Sequence, residues 1–177
     1  MTSRRTVNEE ELNKVEKVRY WVDRCILLVT CTLTVFLVAG AIWQVFTRFV
    51  LQNPSVFTEE VLRFSFIWVG LLGASYAFGV KEHIALTFLM SKWKHAKDKK
   101  AAEIIIEVTV LVFMVMVFIV GGTQLMLASM TQTSPVLGLP MGYVYAALPL
   151  SGLLSVYYIV TNRLMARNEA ARGRDAA

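Results

Sequence analysis

Three groups of side chains have types and spacings that could do chemistry. Glu59, Glu60 and Arg63 crowd the start of one apolar stretch, Glu103 and Glu107 lie one helical turn apart at the start of another, and His83 and His95 are the only histidines. Carboxylates so placed could relay protons, and a pair of histidines on facing spans could ligate a haem iron or a metal. Such work in a membrane needs ionisable groups near mid-bilayer depth, where only a task or a partner keeps so costly a group. Phe64 to Val80 and Val108 to Asn162 hold none. Glu103 and Glu107 are therefore expected at headgroup level or paired with lysine. Both histidines fall in one basic segment and cannot face each other across spans. Glu59 and Arg63 have the i, i+4 spacing of a local ion pair, and with Glu60 they could instead form a buried cluster that anchors a second chain. The chain has no glycine-rich phosphate loop and no nucleophile with a paired base, so an enzyme has no footing here.

The elements that would position these residues are four apolar stretches. Cys25 to Thr47 carries no charge over 23 residues, enough for roughly 34 Å of helix. The second span runs from about Thr58 to Val80, with Thr58 as N-cap and Glu59 and Glu60 favoured by the helix dipole. Val108 to Asn162 is uncharged over 55 residues and is interrupted at Thr131–Pro135 and Gly138–Pro140, which predicts two spans with a tight turn between them. The boundaries are about 25–47, 58–80, 104–130 and 140–162. Pro140 suits the start of the fourth span, and Pro149 should kink it. Residues 1–163 thus make one four-helix membrane domain, followed by a tail over 164–177.

Of the 18 Lys and Arg residues, six precede or include Arg24, two lie in Arg48–Arg63, six in Lys81–Lys100, none in Thr131–Leu139 and four after Asn162. The positive-inside bias puts both termini, and the tail, in the cytoplasm. The net charge of +5 sits beside hydrophobic spans and is mixed with acids, so it points to anionic lipid rather than nucleic acid. A composition that is 56% hydrophobic would overload the interior of a soluble protein of this length. The excess must face lipid or a partner. Ala39-Gly40-Ala41 resembles a signal-peptidase site, but the apolar run continues past it and the preceding region carries five acids, so an uncleaved span is expected.

Leu86, Leu89, Met90 and Trp93 fall at i, i+3, i+4 and i+7 and are flanked by Lys92 and Lys94, which predicts an amphipathic interfacial helix between spans two and three. Leu12, Val15, Val18 and Val22 predict another before span one. Trp21, Trp43, Trp93, Lys92 and Lys94 are candidate interfacial anchors. Trp68 lies deep enough to be a packing residue. Gly70 with Ala74, and Gly73 with Ala77, form small-xxx-small pairs that permit close helix approach, either within the chain or to a partner. Cys25 and Cys31 point to opposite faces of a helix and are expected as small packed filler.

Taken in order, Arg48-Phe49-Val50, Thr58 to Arg63, Trp68 to Ala74 and Glu82-His83-Ile84, then Ser134 to Met141 and Tyr145 to Pro149, resemble the small membrane subunit of tripartite ATP-independent periplasmic (TRAP) transporters. The resemblance covers about Tyr20 to Arg163. It implies an all-α, four-span subunit of a bacterial or archaeal inner membrane that binds a large multi-span subunit non-covalently. That large subunit would hold the sodium and substrate sites and move as an elevator, and no cofactor is implied in this chain. A soluble periplasmic binding protein would deliver a small organic anion, with the loops Arg48–Phe57 and Thr131–Leu139 helping it dock. Arg48, Glu59, Glu60, Arg63, Trp68, Gly70, Gly73, Ala74, Ala77 and His83 are the partner-interface candidates. Two other classes remain: a four-helix membrane redox or quinone-linked protein, which would need paired cysteines in the outer loops, and a self-sufficient small exporter, which would need an embedded carboxylate.

Overall fold

The computed structural model describes the backbone of residues 2–90 and 96–175 and the side chains of residues 15–80 and 104–165. Its regular elements are helices: α1 Thr2–Phe49, α2 Val56–Met90, α3 Ala96–Phe113, a π-helical segment Met114–Gly121, α4 Gly122–Ala128, α5 Gly142–Tyr145 and α6 Ala147–Asp175. Among the described residues, four stretches are long and apolar enough to cross a membrane: Val15–Phe49, Val56–Val80, Ile104–Ala128 and Gly142–Met165.

Local chemistry sets the ends and breaks. α2 begins at Val56 because the Ser55 hydroxyl accepts the Thr58 N–H at 3.4 Å and meets the Thr58 hydroxyl at 2.8 Å. Ser55, not Thr58, is the cap, and Pro54 ahead of it keeps the chain out of the helix. The fourth span is divided at Ala146, between α5 and α6. Pro149 has no N–H for the Tyr145 carbonyl and crowds it, so the interruption falls one turn before the proline. Pro140 does not start that span: α5 begins two residues later, and Pro140 instead pairs with Thr133 in an antiparallel bridge. The π-helical segment had no visible sequence signal beyond the adjacent pair Gly121-Gly122. In α1 the hydroxyls of Thr30, Thr32 and Thr34 bond back to the carbonyls of Ile26, Leu28 and Thr30 at 2.7 to 2.8 Å, so these polar groups are satisfied within an exposed apolar helix.

Neither interfacial helix stands as a separate element. α1 runs unbroken from Thr2 through the first span, and Leu86, Leu89 and Met90 continue the helix of the second. Trp93, Lys92 and Lys94 lie outside the described residues, as does the side chain of His83.

The spans form an open row in the order one, two, four, three. Of the most apolar 18-residue window in each, 44% of span four is buried, against 6% in spans one and three; span four is the hub. Its neighbours come very close. A Cβ on Gly79 of span two would lie 2.5 Å from the Tyr158 ring, and one on Gly152 would lie 2.7 Å from Phe118 of the π segment. The interior is polar. Among the described residues, nine buried polar or charged side chains accompany eight buried apolar ones. The Ser75 hydroxyl donates to the Ser151 carbonyl at 2.9 Å, and the Ser155 hydroxyl to Ser75 at 3.3 Å. Lipid is as apolar as leucine, so helices in it gain most from small residues and hydrogen bonds at their contacts.

Candidate partner interface

At about 100° per residue, the candidate residues of α2 divide between two faces. One carries Glu60, Val61, Phe64, Ser65 and Trp68, and the other carries Glu59, Arg63, Phe66, Gly70, Gly73, Ala74 and Ala77.

The first face looks toward the turn between spans three and four. Val61, Phe64, Ser65 and Trp68 line an open apolar groove of about 280 Å³ with Leu33 of α1 and Leu137 and Leu139 of the turn. Trp68 is thus a groove-lining packing residue. Glu60, only 7% exposed, directs Oε2 at the backbone of that turn and accepts the N–H groups of Val136 at 3.1 Å and Leu137 at 3.0 Å. The turn is itself a small hairpin. Ser134 donates its N–H to Leu139 at 2.9 Å and Met141 donates to Gln132 at 2.8 Å, while Gly138 takes a φ of +65° that a side chain would strain.

The second face is open. Glu59 and Arg63 pair at 3.1 Å with side chains 58% and 67% exposed, a solvated helix pair. The expectation of one buried cluster of Glu59, Glu60 and Arg63 is therefore corrected: Glu60 lies on the other side of the helix with a different partner. Below the pair, Phe66, Gly70 and Ala74 are exposed and Gly73 and Ala77 half-buried. A Cβ added at Gly70 or Gly73 would meet no atom within 4 Å among the described residues. Gly70 and Gly73 thus make no close helix approach among the described residues; the close internal approaches fall at glycines such as Gly79 and Gly152.

At the opposite ends of the spans, charges pass between helices. Arg19 of α1 donates to the Asn162 side-chain oxygen at 2.5 Å and to the Gly79 carbonyl at 3.3 Å, and lies 3.9 Å from Asp23. Asn162 also donates to the Gly79 carbonyl at 3.0 Å, and the fully buried Tyr158 hydroxyl donates to Asp23 at 2.5 Å. This cluster joins spans one, two and four, and it puts the N- and C-terminal ends of the row on one side. Sequence reasoning missed it by treating Arg19 and Asp23 as flanking charges. Their i, i+4 spacing, matched by Tyr158 and Asn162, was the available signal. Glu107 pairs with Arg163 of α6, not with a lysine.

Trp21 and Trp43 are exposed on α1, about 33 Å apart along the helix, a hydrocarbon thickness. Arg48 is exposed near its end. Cys25 and Cys31 are exposed too, not packed as filler.

Residues 37–167 match the family model described as tripartite ATP-independent periplasmic transporters, DctQ component. The sialic acid TRAP transporter small permease protein SiaQ of Vibrio cholerae is 26% identical over 130 residues, covering 73% of this chain and 74% of that one. A chain of Haemophilus influenzae described as a TRAP transporter small permease protein is 27% identical over 118 residues, 67% of this chain and 72% of its own length. The sialic acid TRAP transporter permease protein SiaT of Haemophilus influenzae is 26% identical over 129 residues, which cover 73% of this chain but 21% of that protein.

Proposed function

This chain belongs to the DctQ family of tripartite ATP-independent periplasmic transporters, and from that premise we propose that it is the non-catalytic small subunit that braces a large permease subunit in the inner membrane. It is a multi-pass helical membrane protein and a transporter component. The observation that carries the bracing role is the open face of α2, where a Cβ on Gly70 or Gly73 would meet no atom within 4 Å among the described residues. Small residues on a lipid-level helix face let another helix approach closely, and a lone subunit has no use for that in lipid. In the Haemophilus permease SiaT the stretch similar to this chain is 21% of the protein, so there a unit of this kind shares one polypeptide with a far larger remainder. Here the large subunit would be held non-covalently through the Arg63–Ala77 face.

In this reading the large subunit carries the sodium and substrate sites and the elevator motion. The termini are cytoplasmic, in keeping with the basic-residue count, so the 132–141 hairpin and the 50–55 loop face the periplasm and help dock the soluble binding protein. The cargo is a small organic anion. The one buried carboxylate among the described residues, Glu60, has its Oε2 committed to two backbone N–H groups, which gives a self-sufficient exporter nothing to protonate and release.

Reconstitution tests the reading. The chain co-expressed with its large subunit should co-purify with it and, with the binding protein and a sodium gradient, support uptake of the bound anion into liposomes. The chain alone should support none. Sodium-driven uptake by the chain alone would overturn the reading.

A further inference from the structure

We propose that Glu60 is a positioning residue whose carboxylate holds the 132–141 hairpin in the one conformation to which the soluble binding protein docks, an inference that rests on the docking role given above. Val136 and Leu137 sit mid-turn, where no strand partner can take their N–H groups. Glu60 supplies the acceptor from 76 and 77 residues away in the chain. No cation pairs with it among the described residues, whereas its neighbour Glu59 has Arg63. A desolvated carboxylate is costly to place, and two backbone N–H groups converging on one oxygen are what offset that cost. What the contact achieves is a fixed hairpin that leaves Val136 44% exposed and Leu139, at the groove edge, 48% exposed. A hairpin released from Glu60 would have to be ordered again at each encounter. Fixing even one residue's backbone is worth about tenfold in affinity, so the loss falls on binding-protein affinity and spares steps inside the large subunit.

The test uses the complex with the large subunit in lipid nanodiscs, titrated with fluorescently labelled binding protein purified with its ligand. Glu60→Ala should weaken docking about tenfold. Glu60→Gln, which keeps a carbonyl acceptor at the same place, should return it to within about threefold of wild type. A nitroxide at Leu139→Cys, in a background lacking Cys25 and Cys31, should become mobile in Glu60→Ala and stay restrained in Glu60→Gln. If Glu60→Ala does not assemble, Gly138→Val loosens the hairpin from its far side and should weaken docking to a similar extent. Tight docking by Glu60→Ala or Gly138→Val, alongside weak docking by the surface variant Val136→Asp, would overturn the positioning role alone. Glu60→Gln as weak as Glu60→Ala would also overturn it, by making charge rather than acceptor geometry the determinant. Unimpaired docking by Val136→Asp would remove the docking role itself.

Discussion

Arg19→Ala and Arg63→Ala delete the same charge at opposite ends of two neighbouring spans, and the structure assigns them very different costs. Arg19 has a side chain 21% exposed and reaches three helices: Asp23 on its own, Gly79 on α2, and Asn162 with Met165 on α6. Removing it strips a cation from Asp23, itself 27% exposed, and a donor from each of the others. A fully buried orphaned charge costs about 3 to 5 kcal/mol. Asp23 retains the Tyr158 hydroxyl and some solvent, and Asn162 still donates to Gly79, so the expected cost is about 2 to 3 kcal/mol. Arg63 has one partner, both side chains are more than half exposed, and the expected cost is about 0.3 to 0.5 kcal/mol. SDS titration of the purified subunit in mixed micelles, followed by near-UV circular dichroism, reads both values. A cycle pairing Arg19→Ala with Asn162→Ala should show a coupling of at least about 0.6 kcal/mol. Equal losses for Arg19→Ala and Arg63→Ala, or no coupling in the cycle, would refute the assignment.

Gly70→Leu should leave the stability of the isolated subunit within about 0.5 kcal/mol and sharply reduce recovery with the large subunit. Gly79→Leu, driven into the Tyr158 ring, should destabilise the isolated subunit by about 1 to 3 kcal/mol or more; the same micelle titration and co-purification distinguish them. Ser75→Ala removes the hydroxyl bonded to Ser151 and Ser155 and should cost about 0.6 to 1.7 kcal/mol by titration. For topology, Asn53→Cys and Thr133→Cys should react with an impermeant thiol reagent in intact cells, and Lys97→Cys and Arg167→Cys should not, in a background lacking Cys25 and Cys31.

The four spans were legible because charge-free runs of membrane length leave no other reading, and the two breaks near Pro135 and Pro140 were legible because turn residues interrupt a 55-residue uncharged run. Where helices begin was less legible. Thr58 and Ser55 are both acceptable caps, and the choice turns on Pro54 ahead of Ser55. The order of the row was not legible at all. It follows from which glycines meet bulky rings across an interface, and Gly79 looks no different in sequence from Gly70, although one lies against Tyr158 and the other against no described side chain. At Leu86–Met90 the apolar spacing falls on the helix that also makes span two, which runs on to Met90.

Glu60 shows how much a helical angle alone can carry. Glu59 and Arg63 differ by about 40° around α2, whereas Glu60 stands about 100° from Glu59. By the same geometry Glu60 falls within about 80° of Phe64 and Trp68, the aromatic side chains that line the groove beside Leu137 and Leu139. A carboxylate one turn before an aromatic packing face is placed to be buried by whatever covers that face. It must then find donors there, because an unpaired buried carboxylate is too costly to keep. The 132–141 hairpin covers it and offers two N–H groups with no strand to take them. The triad that reads as one charged cluster along the sequence thus divides into a solvated pair beside the open face and a carboxylate committed to the hairpin. Substitutions at Arg63 and Glu60 should accordingly fail in different assays: Arg63 and the small residues below it in assembly with the large subunit, and Glu60 in engagement of the soluble partner.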